Sequence, residues 1–159
     1  MERSKTLVVL DYDQTVIEDI ANYKARDIIP PPLSDEIENL YSSRGWTNYM
    51  NAIFETLNNI GVTAAEIKKK VKTIPLVDGM QKLFDYFRSH EEMYELIVIS
   101  DSNTLFIDWS LQYHQLKVGT VYSNPAVVGE DGEIKLSPFH QQDYCNESTY
   151  NLCKGTNLL

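Results

Sequence analysis

Several things are scarce in this sequence. Cysteine occurs only twice, at Cys145 and Cys153, without C-x-x-C spacing. That excludes a disulfide framework as the source of stability and fits a reducing compartment. Positive charge is also short: 14 Lys and Arg stand against 23 Asp and Glu, for a net charge of −9. Such a balance argues against nucleic acid as a partner, because the phosphate backbone attracts basic proteins. It argues equally against an anionic membrane surface. Long hydrophobic runs are missing as well. The opening MERSKTLVVLDYD holds four consecutive apolar residues, Leu7 to Leu10, too few for a signal peptide or a membrane span. No internal repeat or low-complexity tract is visible. The expectation is a soluble cytosolic protein of 159 residues, forming one domain or one domain with an insertion. An anionic substrate would need its positive charge supplied inside the site.

What is present is a set of short apolar runs that end in polar residues. Thr6–Leu10 reads as a buried strand, Glu95–Ser100 (ELIVIS) as a second, and Thr120–Tyr122 as a third. Strands buried on both faces belong to parallel sheets flanked by helices. Between the first two strands lie helical patterns. Thr47–Ile60 carries Met50, Ile53, Phe54, Leu57 and Ile60 on one face, and Gly61 ends it. Thr63 and Glu66 form a capping box. A shorter helix is expected over Asp35–Tyr41. Asp78 is expected to cap another, with Met80, Leu83, Phe84 and Phe87 inward. Asp131-Gly132 marks a hairpin turn within Val127–Leu136. The segment after Cys145 is read as the start of a helix. The predicted architecture is α/β: a doubly wound, mostly parallel, Rossmann-like core from residues 1–19 and 76–159, with a helical insertion over residues 20–75.

In open α/β sheets, sites form beyond the carboxyl ends of the strands. Two strands here end in DYDQT and SDSNT, which gathers Asp11, Asp13, Thr15, Ser100, Asp101 and Asn103 around one crevice. Asp11 and Asp13, two positions apart on extended chain, point the same way. Their repulsion favours a divalent cation with hard oxygen ligands, or a proton on one of them. Either state suits phosphoryl transfer, with one carboxylate attacking phosphorus and the other donating a proton. A lone D-x-D would more simply be a turn or a helix cap. Here the strand context, the Thr15 spacing and the second polar strand end agree.

VVLDYDQTV resembles the D-x-D-x-T signature of the haloacid dehalogenase superfamily of phosphatases, and LIVISDSNT resembles its second motif. ISDSNTLFID, VYSNPA, LSPFH and NLCKG, in that order, resemble the branch acting on phosphoethanolamine, phosphocholine and pyridoxal phosphate. The resemblance runs from Leu7 to Gly155. It implies a magnesium-dependent hydrolysis of a small phosphomonoester through an aspartyl-phosphate. Asp11 would be nucleophile and magnesium ligand. Asp13 would be general acid and base, and would bind magnesium through its carbonyl. Ser100 and Lys154 would hold the phosphoryl group. Asp101 would line the substrate pocket, and residues 20–75 would close over it.

Other residues have plainer readings. Trp46, Tyr49 and Phe54 read as core of the insertion rather than a cation cage. Cys145 and Cys153, with His140, read as ordinary thiols and a histidine rather than a metal set. A signalling receiver domain also uses an aspartyl-phosphate, but it carries its phosphoacceptor on a later strand and lacks a helical insertion. Two departures from the family pattern stand out. The position eleven after the nucleophile, typically aspartate in the branch, is Asn22, which disfavours a strictly cationic headgroup. A fourth, acidic motif that completes the magnesium site is expected a few tens of residues beyond the lysine, and the sequence ends at Leu159. The expectation is weak magnesium binding without phosphate and poor turnover. It extends to a marginally stable or self-pairing chain with an open apolar sheet edge. The rival reading is a non-catalytic relative that binds a phosphorylated ligand or partner.

Overall fold

A computed structural model describes residues 4–42 and 45–158. Three parallel strands form the central sheet in the order β1-β2-β3: β1 is Thr6–Leu10, β2 is Tyr94–Asn103 and β3 is Thr120–Asn124. Their registers pair Val9 with Ile97 and Ile97 with Thr120. β2, rich in β-branched residues, runs through the middle and is buried from Leu96 to Ser100, as a strand flanked on both sides should be.

Between β1 and β2 lie α1 (Ala21–Arg26), α2 (Asp35–Glu38), α3 (Trp46–Asn59), α4 (Ala64–Lys72) and α5 (Met80–Ser89). α3 buries Tyr49, Met50, Ile53, Phe54 and Leu57, the three-and-four spacing of one helical face. It ends at Gly61, whose φ of 84° lets Val62 N–H reach Leu57 O, a left-handed cap that favours glycine. The Thr63–Glu66 capping box opens α4 as expected. α6 (Thr104–Tyr113) follows β2, and β4 (Ala126–Val128) pairs antiparallel with β5 (Ile134–Leu136) around Gly132. Asn51 of α3 holds Leu136 through both amide atoms, accepting at 2.8 Å and donating at 2.9 Å. One apolar cluster joins α3, α4, α5 and α6 to Leu96, Val98 and Leu136. The helices between the strands and the sheet therefore share a core. Truncating Phe54 within it would cost about 3–5 kcal/mol.

Several local expectations differ from the structure. β1 forms, but Leu7 is 49% and Val9 39% exposed. Among the described residues β1 pairs with β2 on one side only, and the face it shares with Ile97 is open at Leu7 and Val9 although Ile97 and Ile99 themselves are buried. That face is closed farther along by Leu152, Tyr122 and Phe139. Asp78 does not cap α5. Gly79, with φ of 82°, is the capping residue, and no side chain accepts there. Leu83 faces outward. α2 stops at Glu38, where Leu40 and Tyr41 switch to bonds three residues back. The segment after Cys145 is irregular and ends in a short 3₁₀ turn, Gly155–Leu158. Among the described residues no helix is long and apolar enough to cross a membrane.

Candidate active site

The alternation of an extended chain sorts the residues at the end of β1. Tyr12 is fully buried, and its hydroxyl donates to Phe106 O at 3.3 Å. Asp11 and Asp13, on either side of it, both line a cavity of about 370 Å³. Asp13 Oδ1 accepts from Ala21 N–H at 2.9 Å, so the second acid also anchors the start of α1.

β2 supplies the opposite wall. Its pairing with β3 shifts register between Ile99 and Asn103. Such irregularities re-aim side chains beside sites, and Asp101 lines the cavity. The loosened backbone is held by Asn124, which is fully buried. Asn124 Nδ2 donates to Asp101 O at 2.8 Å and Ser102 O at 2.9 Å. Its Oδ1 accepts from Phe139 N–H at 3.1 Å and Asn151 Nδ2 at 3.0 Å. This residue thereby joins the end of β2 to the irregular segment that brings Lys154 in. Lys154 Nζ lies 2.5 Å from Asp11 Oδ2, a charge-assisted contact across 143 positions of sequence.

The electrostatics follow from crowding. Burial, with Asp101 and Asp11 nearby, pushes the Asp13 carboxyl up to about 7, against the lowering pull of the Ala21 amide. Burial also raises Asp101, with Asp11 adding and Lys154 opposing. Asp13 is thus an acid that still holds a proton near neutrality, next to a carboxylate paired with a lysine.

The rest of the wall is aromatic. Tyr23, Tyr41 and Trp46 line the cavity with Ile20, Gln14, Asn22, Ser42 and Thr149. Trp46 meets Tyr23 and Tyr41 edge to face, with centroids 6.5 and 6.0 Å apart. Trp46 packs against the core as expected, stacked on buried Tyr49 with centroids 5.9 Å apart, and its other side also lines the cavity, whereas Tyr49 and Phe54 are buried. The sequence signal was available in the clustering of Tyr23, Tyr41 and Trp46, but helical spacing alone does not separate a wall from a core. Asn22 is buried, and its Oδ1 accepts from Asn103 Nδ2 at 3.2 Å.

Some residues stand off the cavity. Ser100 is fully buried and accepts from Ser102 N–H at 3.2 Å. Asn103 caps α6 through Phe106 N–H. Thr15 lies in the turn closed by Tyr12 O. Exposed Asp108 binds Gln112 on α6. His140 Nε2 accepts from Cys153 N–H at 2.8 Å, and Cys145 Sγ donates to Ser148 Oγ, so these three serve local structure. A larger cavity, about 600 Å³, lies at the opposite end of the strands between α5, the start of β2 and Gly119. The smaller one holds the converging acids at the carboxyl ends, where sheets of this kind place their chemistry.

Magnesium would meet hard oxygen donors here, the Asp11 carboxylate and the Asp13 carbonyl, and crowded acids are the environment a divalent cation relieves. The residues fit in kind, although among the described residues no three acidic, histidine or cysteine side chains gather as a metal cluster.

The profile of the Putative Phosphatase family matches residues 6–159. Pyridoxal phosphate phosphatase PHOSPHO2 of Homo sapiens is 33% identical over 159 residues, covering 98% of this chain and 65% of that protein. The phosphoethanolamine/phosphocholine phosphatase of Gallus gallus is 28% identical, covering 94% and 57%. The chain thus spans about two thirds or less of the length of these relatives. A HAD family hydrolase from Salmonella enterica serovar Typhi superposes with a TM-score of 0.59 at 13% identity, over 81% of this chain and 43% of that one. The last likeness concerns the fold.

Proposed function

The chain belongs to the Putative Phosphatase family of haloacid dehalogenase-like proteins, and from that membership we propose that it is the greater part of a magnesium-dependent phosphatase for small phosphomonoesters. The observation that carries this reading is the Lys154–Asp11 contact at 2.5 Å, with a proton-bearing Asp13 on the same cavity. Asp11 Oδ attacks phosphorus, and the bond from phosphorus to the leaving oxygen breaks. Asp13 passes its proton to that oxygen. Asp13, now a carboxylate, takes a proton from water as the water attacks the aspartyl-phosphate, which releases phosphate and regenerates Asp11. Lys154 offsets the charge gathered on the phosphoryl oxygens. When bound, magnesium would neutralise the charge between nucleophile and phosphate, held by the Asp11 carboxylate and the Asp13 carbonyl.

The remaining roles are assigned on the same basis. Asp101 shapes the anionic floor. Ser100 only accepts in its bond with Ser102 N–H, which leaves its hydroxyl proton to be donated to a phosphoryl oxygen. Residues 20–75 form a helical insertion over the core, and Tyr23, Tyr41 and Trp46 face the leaving group. A flat, ring-bearing alcohol such as pyridoxal gains stacking on that wall. An ammonium headgroup finds an amide at Asn22 in place of a carboxylate. Pyridoxal phosphate, named in the human relative, is therefore the preferred candidate over phosphoethanolamine. Neither nucleic acid nor a membrane is a partner in this reading. A second copy can associate through the exposed flank of β1. The test is phosphate release from pyridoxal phosphate with and without magnesium. Activity that requires magnesium and vanishes with Asp11→Asn supports the proposal, and activity indifferent to both rejects it.

A further inference from the structure

Gln14 has a backbone φ of 57°, in the left-handed region where a Cβ is unfavourable and glycine is the default. A second residue of the chain, Gln115, has the same φ, but there the cause is plain. Gln115 follows α6, and Leu116 N–H returns to Leu111 O in a helix-ending motif. No helix ends at Gln14. It sits in a turn whose hub is Tyr12 O, which accepts from Thr15, Val16 and Ile17, while Gln14 N–H reaches Asp19 O at 3.4 Å. The turn requires the left-handed conformation, and glycine would satisfy it. The chain instead carries a long amide side chain, exposed to solvent and lining the cavity beside Asp13. Strained backbone of this kind concentrates at functional positions.

Position within the cavity says which part of a ligand this side chain would meet. Asp11, which lines the cavity and is contacted by Lys154, is where the phosphoryl group is held in the phosphatase reading. Gln14 follows Asp13, the acid assigned to the leaving oxygen, and lines the same cavity as Tyr23, Tyr41 and Trp46. We propose that Gln14 is a specificity-determining residue whose side-chain amide hydrogen-bonds the alcohol portion of the phosphomonoester rather than its phosphoryl group. This rests on the phosphatase reading of the site. A primary amide both donates and accepts, so the portion recognised carries a neutral polar group such as a hydroxyl or carbonyl.

The test compares wild type with Gln14→Gly by calorimetric titration in magnesium. The probes are orthophosphate and a phosphonate analogue of pyridoxal phosphate, whose carbon–phosphorus bond resists hydrolysis. Thermal unfolding is measured alongside. The expected result is a melting temperature equal to or above wild type, because glycine relieves the backbone. The phosphonate Kd should rise about tenfold, the loss of one hydrogen bond, with an unchanged orthophosphate Kd. Unchanged affinity for both probes, or equal weakening of both, overturns the role of Gln14 while leaving the site reading intact. A wild-type chain that binds neither probe overturns the site reading itself, and the Gln14 proposal with it.

Discussion

The side-chain amide of Asn151 donates to Asn124 Oδ1 at 3.0 Å, and both residues are buried. This bond ties the strand neighbouring β2 to the irregular segment three residues before Lys154. Asn124 also holds the carbonyls of Asp101 and Ser102, so one side chain links the backbone of an acid lining the site to the segment that carries Lys154 to Asp11. Asn124→Ala would leave these groups buried without partners. The expected loss is about 3 kcal/mol or more, read by chemical denaturation. A loss below about 1 kcal/mol would mean that the segment carrying Lys154 is held by other contacts.

Asp13 gives a pH-dependent prediction. Its carboxyl in the fold titrates at about 7, above its ordinary 3.8. The fold favours the protonated form, so the stability from this group is complete below pH 3.8 and is lost as pH rises to about 7. Asn is neutral throughout and keeps an oxygen for Ala21 N–H. With EDTA present, the melting temperature of Asp13→Asn relative to wild type should grow between these pH values, reaching several degrees, and then level off. A difference independent of pH would show that Asp13 is not strained by its charge.

Substrate preference is expected to follow the aromatic wall. Trp46→Ala should reduce kcat/KM for pyridoxal phosphate about tenfold, the worth of one good ring contact, and affect phosphoethanolamine much less. Asn22→Asp should shift the ratio of kcat/KM values toward phosphoethanolamine. Equal changes on both substrates in either variant would place the wall outside the substrate's reach.

The flank of β1 yields a fourth expectation. Leu7 and Val9 are 49% and 39% exposed on an edge strand, the kind of surface that pairs with another chain. Lysine at both positions should lower the apparent mass in light scattering at high protein concentration without lowering the melting temperature. If wild type is monomeric at every concentration, this flank is not a site of self-association.

The strand-forming runs, the capping box, the Gly61 helix end and the Asp131-Gly132 hairpin were legible because each depends on residues close in sequence. The gathering of Asp11, Asp13 and Asp101 was legible for a related reason, since strand ends converge in this architecture. Three things were not. Exposure of β1 depends on what lies beside it in space, and the run LVVL looks the same at an edge or in the middle of a sheet. The Trp46 wall depends on where α3 packs relative to α1. Asn124, inside VYSNPA, gave no separate signal, because its four partners lie up to 27 positions away in sequence.

The central claim is that Asp11 becomes phosphorylated. The direct measurement is acid quench of the magnesium-loaded protein during reaction with pyridoxal phosphate, followed by mass spectrometry of the peptide spanning Asp11 and Asp13. The account predicts the added mass of one phosphoryl group, placed by fragmentation on Asp11, absent from Asp11→Asn and removed by hydroxylamine. Phosphate release during steady turnover, with the phosphoryl mass on another residue or with an equal yield of adduct from Asp11→Asn, would contradict it.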